Sequence, residues 1–284
     1  MNRFVTLKDG TRVAAIGQGT WYLGENRYTR NAEIDALRTG IELGLTLIDS
    51  AEMYGDGKAE KLVGDAIKGY DRKKLFLISK VYPFNAGRKN IFSSCKNSIE
   101  RMNADYLDLY LLHWRGGIAL SETVECMERL VEEGLIKRWG VSNFDVDDMD
   151  ELLSLPNGHD CAVDQVLYNV ASRGIEYELM PLLSNDGIPV ISYCPLAQAG
   201  MLSDGLMSNP VLLRIAEKHS VSVAVILLSF AIRNGKTIAI PRSSKSEHVR
   251  DNRRALDVEL DQEDLLLINK EFPAPRRKFP LDIV

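Results

Sequence analysis

Leu45-Thr46-Leu47-Ile48-Asp49-Ser50-Ala51-Glu52-Met53-Tyr54-Gly55 is the stretch on which the fold of this 284-residue chain turns. The run 45–48 is apolar and reads as a buried strand. Asp49 stands where that strand ends, and Tyr54 follows in the loop. A carboxylate leaving an apolar strand is costly to bury unless a cation or hydrogen-bond donor meets it. Two further apolar runs supply partners. The run 75–79 ends at Lys80, and the run 107–112 ends at His113. Asp, Tyr, Lys and His thus arrive at the ends of successive strands, which predicts one site fed by several strands.

Working outward, segments 4–7 and 12–14 flank Lys8-Asp9-Gly10-Thr11 and read as a hairpin. Barrel strands are predicted over 13–17, 45–49, 75–80, 107–112, 136–141, 162–166, 188–193 and 237–240. Helical spacing marks 30–43, 58–68, 88–102, 121–133, 146–153 and 176–183, with Gly44, Gly69 and Gly134 as stops. Helices 211–218 and 223–233 follow in tandem, then 245–256 and 262–270. Alternating strand and helix in eight units predicts a (β/α)8 TIM barrel over residues 1–284 as one domain, with an N-terminal hairpin and two extra helices. In such a barrel the strand C-terminal ends and the loops after them build the active site.

Composition narrows the partners. Charged residues make up 26% and the net charge is −5, with no long basic block, which argues against nucleic acid. The cluster at 250–254 is short and interrupted by Asp251. Cys95, Cys126, Cys161 and Cys194 form no CxxC or Cys/His ligand pattern, so neither a metal site nor a disulfide framework is expected. Residues 1–6 lack an apolar signal core and no long apolar run occurs. The expectation is a cytoplasmic monomer without a membrane anchor.

The four strand-end residues suggest a chemistry. A nearby ammonium, Lys80, is expected to lower the pKa of the Tyr54 phenol, with Asp49 balancing its charge. His113 can donate a hydrogen bond to an oxygen. Together they would protonate a carbonyl oxygen while hydride reaches its carbon. The plainer alternative is a structural Asp49–Lys80 ion pair with Tyr54 in a loop and His113 in the core. That alternative holds for any one residue, but it accounts poorly for four of them at neighbouring strand ends.

Five segments carry a family resemblance: Gly17-Gln18-Gly19-Thr20-Trp21, residues 47–55, residues 105–114, Trp139-Gly140-Val141-Ser142-Asn143-Phe144 and Ile240-Pro241-Arg242-Ser243. In order and over nearly the whole chain they resemble the aldo-keto reductases. Residues 193–200 and the Ala-Glu-Met-Tyr form of residues 51–54 are most similar to the bacterial methylglyoxal reductases of that family. The resemblance implies an NADPH-dependent carbonyl reductase for small reactive carbonyls such as methylglyoxal. It implies Tyr54 as general acid, Lys80 and Asp49 tuning it, and His113 orienting the carbonyl. It places the nicotinamide among Gly19, Thr20, Trp21, Asp49, Ser142, Asn143, Gln165 and Tyr193, with Pro195, Leu196 and Gln198 following. Trp21, Tyr82 and Trp114 would line the substrate pocket with Tyr54 and His113.

No G-x-G-x-x-G follows a strand, so a dinucleotide is not expected to bind in Rossmann fashion. The implied phosphate end is Ile240, Pro241, Arg242, Ser243 and Ser244, with His248, Asp251 and Asn252 on the next helix. A guanidinium and a helix N-terminus both suit phosphate. The family often has lysine at position 242 and arginine at position 248, where this chain has Arg242 and His248; Arg250 and Lys245 are the alternative cations. The tail after Lys270 is short, so no large C-terminal substrate loop is expected. Two other classes are compatible with single features of the sequence: a non-catalytic binding subunit, against which the full set of four argues, and a Schiff-base lyase using Lys80.

Overall fold

The computed structural model describes residues 3–197 and 205–284. Ten strands and ten α-helices occur among them: β1 Phe4–Thr6, β2 Arg12–Ala14, β3 Gln18–Gly19, α1 Arg30–Glu42, β4 Leu47–Asp49, α2 Lys58–Ala66, β5 Phe76–Val81, α3 Ile91–Arg101, β6 Leu109–Leu112, α4 Leu120–Glu132, β7 Trp139–Ser142, α5 Val146–Ser154, β8 Asp164–Leu167, α6 Leu179–Asn185, β9 Val190–Tyr193, α7 Pro210–His219, α8 Val223–Ile232, β10 Thr237–Ala239, α9 Ser246–Arg254 and α10 Gln262–Glu271.

Strands β3 to β10 form one parallel sheet in sequence order. It closes on itself where the Gly17 amide donates to Ala239 O at 2.8 Å and the Ala239 amide donates to Ala15 O at 2.8 Å. Parallel bridges Ile16↔Ala239 and Gly19↔Arg242 continue the seam. Two glycines make that seam possible. A Cβ on Gly17 would meet Leu47 Cδ2 at 2.5 Å, and one on Gly19 would meet Ile240 O at 2.7 Å. The barrel strands are buried on both faces, which explains their continuous apolar runs.

Of the predicted first barrel strand, 13–17, residues 15–17 lie in the seam beside Ala239, Gln18–Gly19 continue it as β3, and residues 13 and 14 leave it. Val13 and Ala14 instead pair antiparallel with Val5 and Phe4 in the hairpin. A short apolar run carries no record of which strand it pairs with. The hairpin covers the strand N-terminal ends: Lys8 Nζ donates to His159 O at 2.6 Å and Arg138 binds Asp9 at 2.6 Å.

Two helices stop where their glycines predict. The Gly44 amide donates to Ile41 O and the Leu45 amide to Gly40 O; Gly134 and Leu135 repeat the pattern on Val131 and Leu130. Both glycines have left-handed φ, 85° and 71°, which only glycine adopts freely. Each turn sends the chain directly toward the next strand. Helices α7 and α10 are the two additions to the barrel. They meet through Lys218 on Asp261 and Asp264 at 2.6 and 2.8 Å. Among the described residues no single helix is long and apolar enough to cross a membrane. Helix α8 is apolar because it is buried nearly all round.

Candidate active site

Asp49 ends β4, Lys80 lies near the end of β5, and His113 follows β6. All three sit at the barrel's C-terminal face, and Tyr54 arrives from the β4–α2 loop. Lys80 is fully buried, and its three protons have three acceptors: Asp49 Oδ2 at 2.7 Å, Ser50 O at 2.9 Å and Tyr54 Oη at 3.0 Å. The other Asp49 oxygen accepts from Gln165 Nε2 at 2.8 Å. Neither charge is left uncompensated, which is the condition for tolerating a buried pair. Burial draws the Lys80 ammonium below its ordinary pKa, against the opposing pull of Asp49.

The Tyr54 phenol departs from the sequence expectation. Burial first, then the Asp49 carboxylate, raise its pKa well above the usual value. The sequence places a lysine nearby but cannot show that the phenol is buried beside a carboxylate. The phenol therefore keeps its proton at neutral pH, while the Lys80 hydrogen bond waits on its oxygen. His113 is pushed down to about 2, by burial and then by the Lys80 ammonium. It is a neutral imidazole. Its Nδ1 is buried without a partner among the described residues. An unpaired buried donor is costly, so the ring proton belongs on Nε2.

A cavity of about 580 Å³ opens over these residues. It is lined by Gly19, Thr20, Trp21, Asp49, Tyr54, His113, Trp114, Ser142, Asn143, Gln165, Tyr193, Ile240 and Arg242, all named by the sequence reading. The polar wall is internally braced. Ser142 Oγ donates to Gln165 O at 2.7 Å, Asn143 Nδ2 to His113 O at 3.1 Å, and Tyr193 Oη to Asn143 Oδ1 at 2.8 Å. Asn143 has a left-handed φ of 59°, which turns its amide toward β6. Such a set of side-chain amides, hydroxyl and aromatic ring fits a nicotinamide carboxamide, which both donates and accepts. At the far end of the cavity Arg242 is exposed and makes no ion pair among the described residues. Next to it, α9 starts without a side-chain cap, so its first amides are available to an anion.

Several named residues fall elsewhere. Tyr82 does not line the cavity; it stacks on Phe84 at 4.6 Å and meets Trp114 edge-on at 5.9 Å, bracing Trp114 from behind. Pro195 and Leu196 are buried off the cavity. Pro241, Ser243 and Asn252 border a separate small void with Gln18. Ser244 is half-buried and lines neither. His248 is exposed, 3.6 Å from Glu247. Asp251 accepts from Ser222 Oγ and faces Arg254, so it is spent on holding α8 and α9. Gln198 lies outside the described residues.

The cavity also has walls that the sequence reading missed: Tyr22, Met53, Arg115, Ile283 and Val284. Met53 and Tyr22 adjoin quoted motifs and were within reach. Nothing in the sequence places the tail. Asp282 accepts from Ser172 Oγ, and the Val284 amide faces the Tyr193 phenol. Ile283 and Val284 close one side of the pocket. Cys194, also in the wall, is a plain thiol, pushed up to about 11 by burial.

Comparison with known proteins identifies relatives of this chain. The profile of the Aldo/keto reductase family matches residues 15–270. The methylglyoxal reductase YeaE of Escherichia coli is 50% identical over 282 residues, 99% of each chain. The glyoxal reductase of Bacillus subtilis is 34% identical over 92% of this chain and 90% of its own length. A crystal structure of an aldo/keto reductase from Klebsiella pneumoniae, in complex with NADP and acetate, superposes with a TM-score of 0.97 at 49% identity, covering all of both chains.

Proposed function

The chain belongs to the aldo/keto reductase family, and on that premise we propose that it is a single-domain, NADPH-dependent reductase of aldehydes and ketones with Tyr54 as proton donor. Small reactive carbonyls such as methylglyoxal are its substrates. The observation that carries this reading is the fully bonded Lys80 ammonium between Asp49 and the Tyr54 phenol, beside a neutral His113. Ser142, Asn143 and Gln165 would hold the carboxamide of NADPH, the Tyr193 ring would stack on the nicotinamide, and Arg242 with the α9 N-terminus would hold phosphate. Bound NADPH supplies the hydride.

The protein's own groups do the rest. His113 donates Nε2–H to the substrate carbonyl oxygen and fixes its direction. Tyr54 delivers its proton to that oxygen as negative charge develops there. The phenolate left behind accepts fully from Lys80 Nζ, and Asp49 keeps the ammonium in place. Trp21 and Trp114 shed water from the pocket, which strengthens each of these interactions.

Tyr54→Phe tests the assignment. It removes the proton and keeps the ring. The expected result is a loss of about 10²–10⁴ in kcat with NADPH affinity nearly unchanged, since the phenol acts in the transition state. Wild-type kcat in this variant would sink the mechanism.

A further inference from the structure

Tyr54 and Lys80 come from different segments, so something must fix the distance between them. Strands β4 and β5 stay in register only to Asp49↔Ile78. Beyond it, the Ser50 amide reaches Ile78 O at 3.0 Å and the Glu52 amide reaches Lys80 O at 3.3 Å. The chain then winds through Gly55, Asp56 and Gly57, all with left-handed φ, before α2 begins. Past Glu52 no further backbone bond ties this loop to the β5 segment. Besides the Lys80–Tyr54 contact itself, one side chain does. Glu52 Oε1 accepts from the Tyr82 amide at 2.7 Å and from Asn85 Nδ2 at 3.2 Å. Glu52 lies two residues before Tyr54, and Tyr82 two residues after Lys80.

We propose that Glu52 is a positioning residue for the reduction: its carboxylate sews the Tyr54 loop to the segment after Lys80 and sets the 3.0 Å contact between Lys80 Nζ and the Tyr54 phenol. This rests on the reading of Tyr54 as proton donor. Glu52 does not line the cavity. Its role is geometric, and a neutral amide oxygen at the same place can also accept from the Tyr82 amide. Its effect falls on the proton-transfer step, where a misplacement of about 1 Å costs about a hundredfold.

Glu52→Ala and Glu52→Gln are compared in steady-state reduction of methylglyoxal, with NADPH dissociation constants from tryptophan fluorescence. Glu52→Ala is expected to lower kcat by about ten- to a hundredfold with NADPH affinity held within about twofold, and Glu52→Gln to recover kcat to within about threefold of wild type. A double-mutant cycle with Tyr54→Phe separates the two readings. Glu52 acts through Tyr54, so Glu52→Ala should cost little further rate in the Tyr54→Phe background. Wild-type kcat in Glu52→Ala overturns the proposal, as does equal impairment of Glu52→Gln, or a full additional loss beside Tyr54→Phe. If Glu52→Ala does not fold, Glu52→Gln and Asn85→Ala carry the test: activity in the first near wild type with a partial kcat loss in the second supports the staple, and the reverse order refutes it. Full activity of Tyr54→Phe alone would instead refute the proton donor.

Discussion

Replacing Arg242 by alanine asks whether this chain reads the extra phosphate that distinguishes NADPH from NADH. The site is lean in cations. Arg242 is exposed at the cavity end and makes no ion pair among the described residues. Lys245 and His248 both face Glu247, at 3.8 and 3.6 Å. Asp251 is engaged with Ser222 and Arg254. Arg250 on α9 is exposed as well, but Arg242 is the guanidinium that lines the cavity, aided by the uncapped amides of α9. A charge-assisted hydrogen bond contributes about 1.5–3 kcal/mol. Solvent exposure argues for the lower part of that range. At about 1.4 kcal/mol per factor of ten, about 1.5–2 kcal/mol is a ten- to thirtyfold preference. The main chain at Arg242 pairs with Gly19 in the seam and is untouched by the substitution. Arg242→Ala is therefore expected to weaken NADPH binding by about ten- to thirtyfold and to leave NADH binding nearly as it was. Dissociation constants of both cofactors, by fluorescence titration of wild type and variant, decide it. Equal loss of both would show that Arg242 supports the seam, and would refute the phosphate assignment.

Two further outcomes follow from the structure. His113 is held neutral down to about 2, so the unfolded chain takes up its proton first as pH falls below the ordinary histidine value of about 6.5. Wild type should lose about 2 kcal/mol of stability from this group between pH 7 and pH 5, and His113→Gln should lose that much less in urea melts; identical pH slopes would contradict a buried neutral imidazole. Ser172→Ala releases Asp282 and the tail end that walls the pocket. With about 1 kcal/mol of tether removed, kcat/KM for a bulky aromatic aldehyde should rise about fivefold relative to methylglyoxal; an unchanged ratio would mean that other contacts hold the tail.

The sequence by itself determined the alternation of strand and helix, because burial on two faces demands apolar runs and left-handed helix stops demand glycine, as Gly44 and Gly134 show. It also exposed Asp49, Lys80 and His113, since a titratable group ending an apolar run has no local reason to be there. Tertiary structure decided the pairings that no local pattern records. Val13 joins the hairpin, while Ile16 meets Ala239 and Gly19 meets Arg242 to close the barrel. Ile283 and Val284 wall a pocket built from residues far earlier in the chain. Tyr82, placed at the mouth by its position, stands behind Trp114. The Tyr54 phenol sits beside Lys80 as expected, yet its pKa moves upward. The sign of such a shift depends on burial and on every nearby charge at once, and those are set only when the chain has closed on itself.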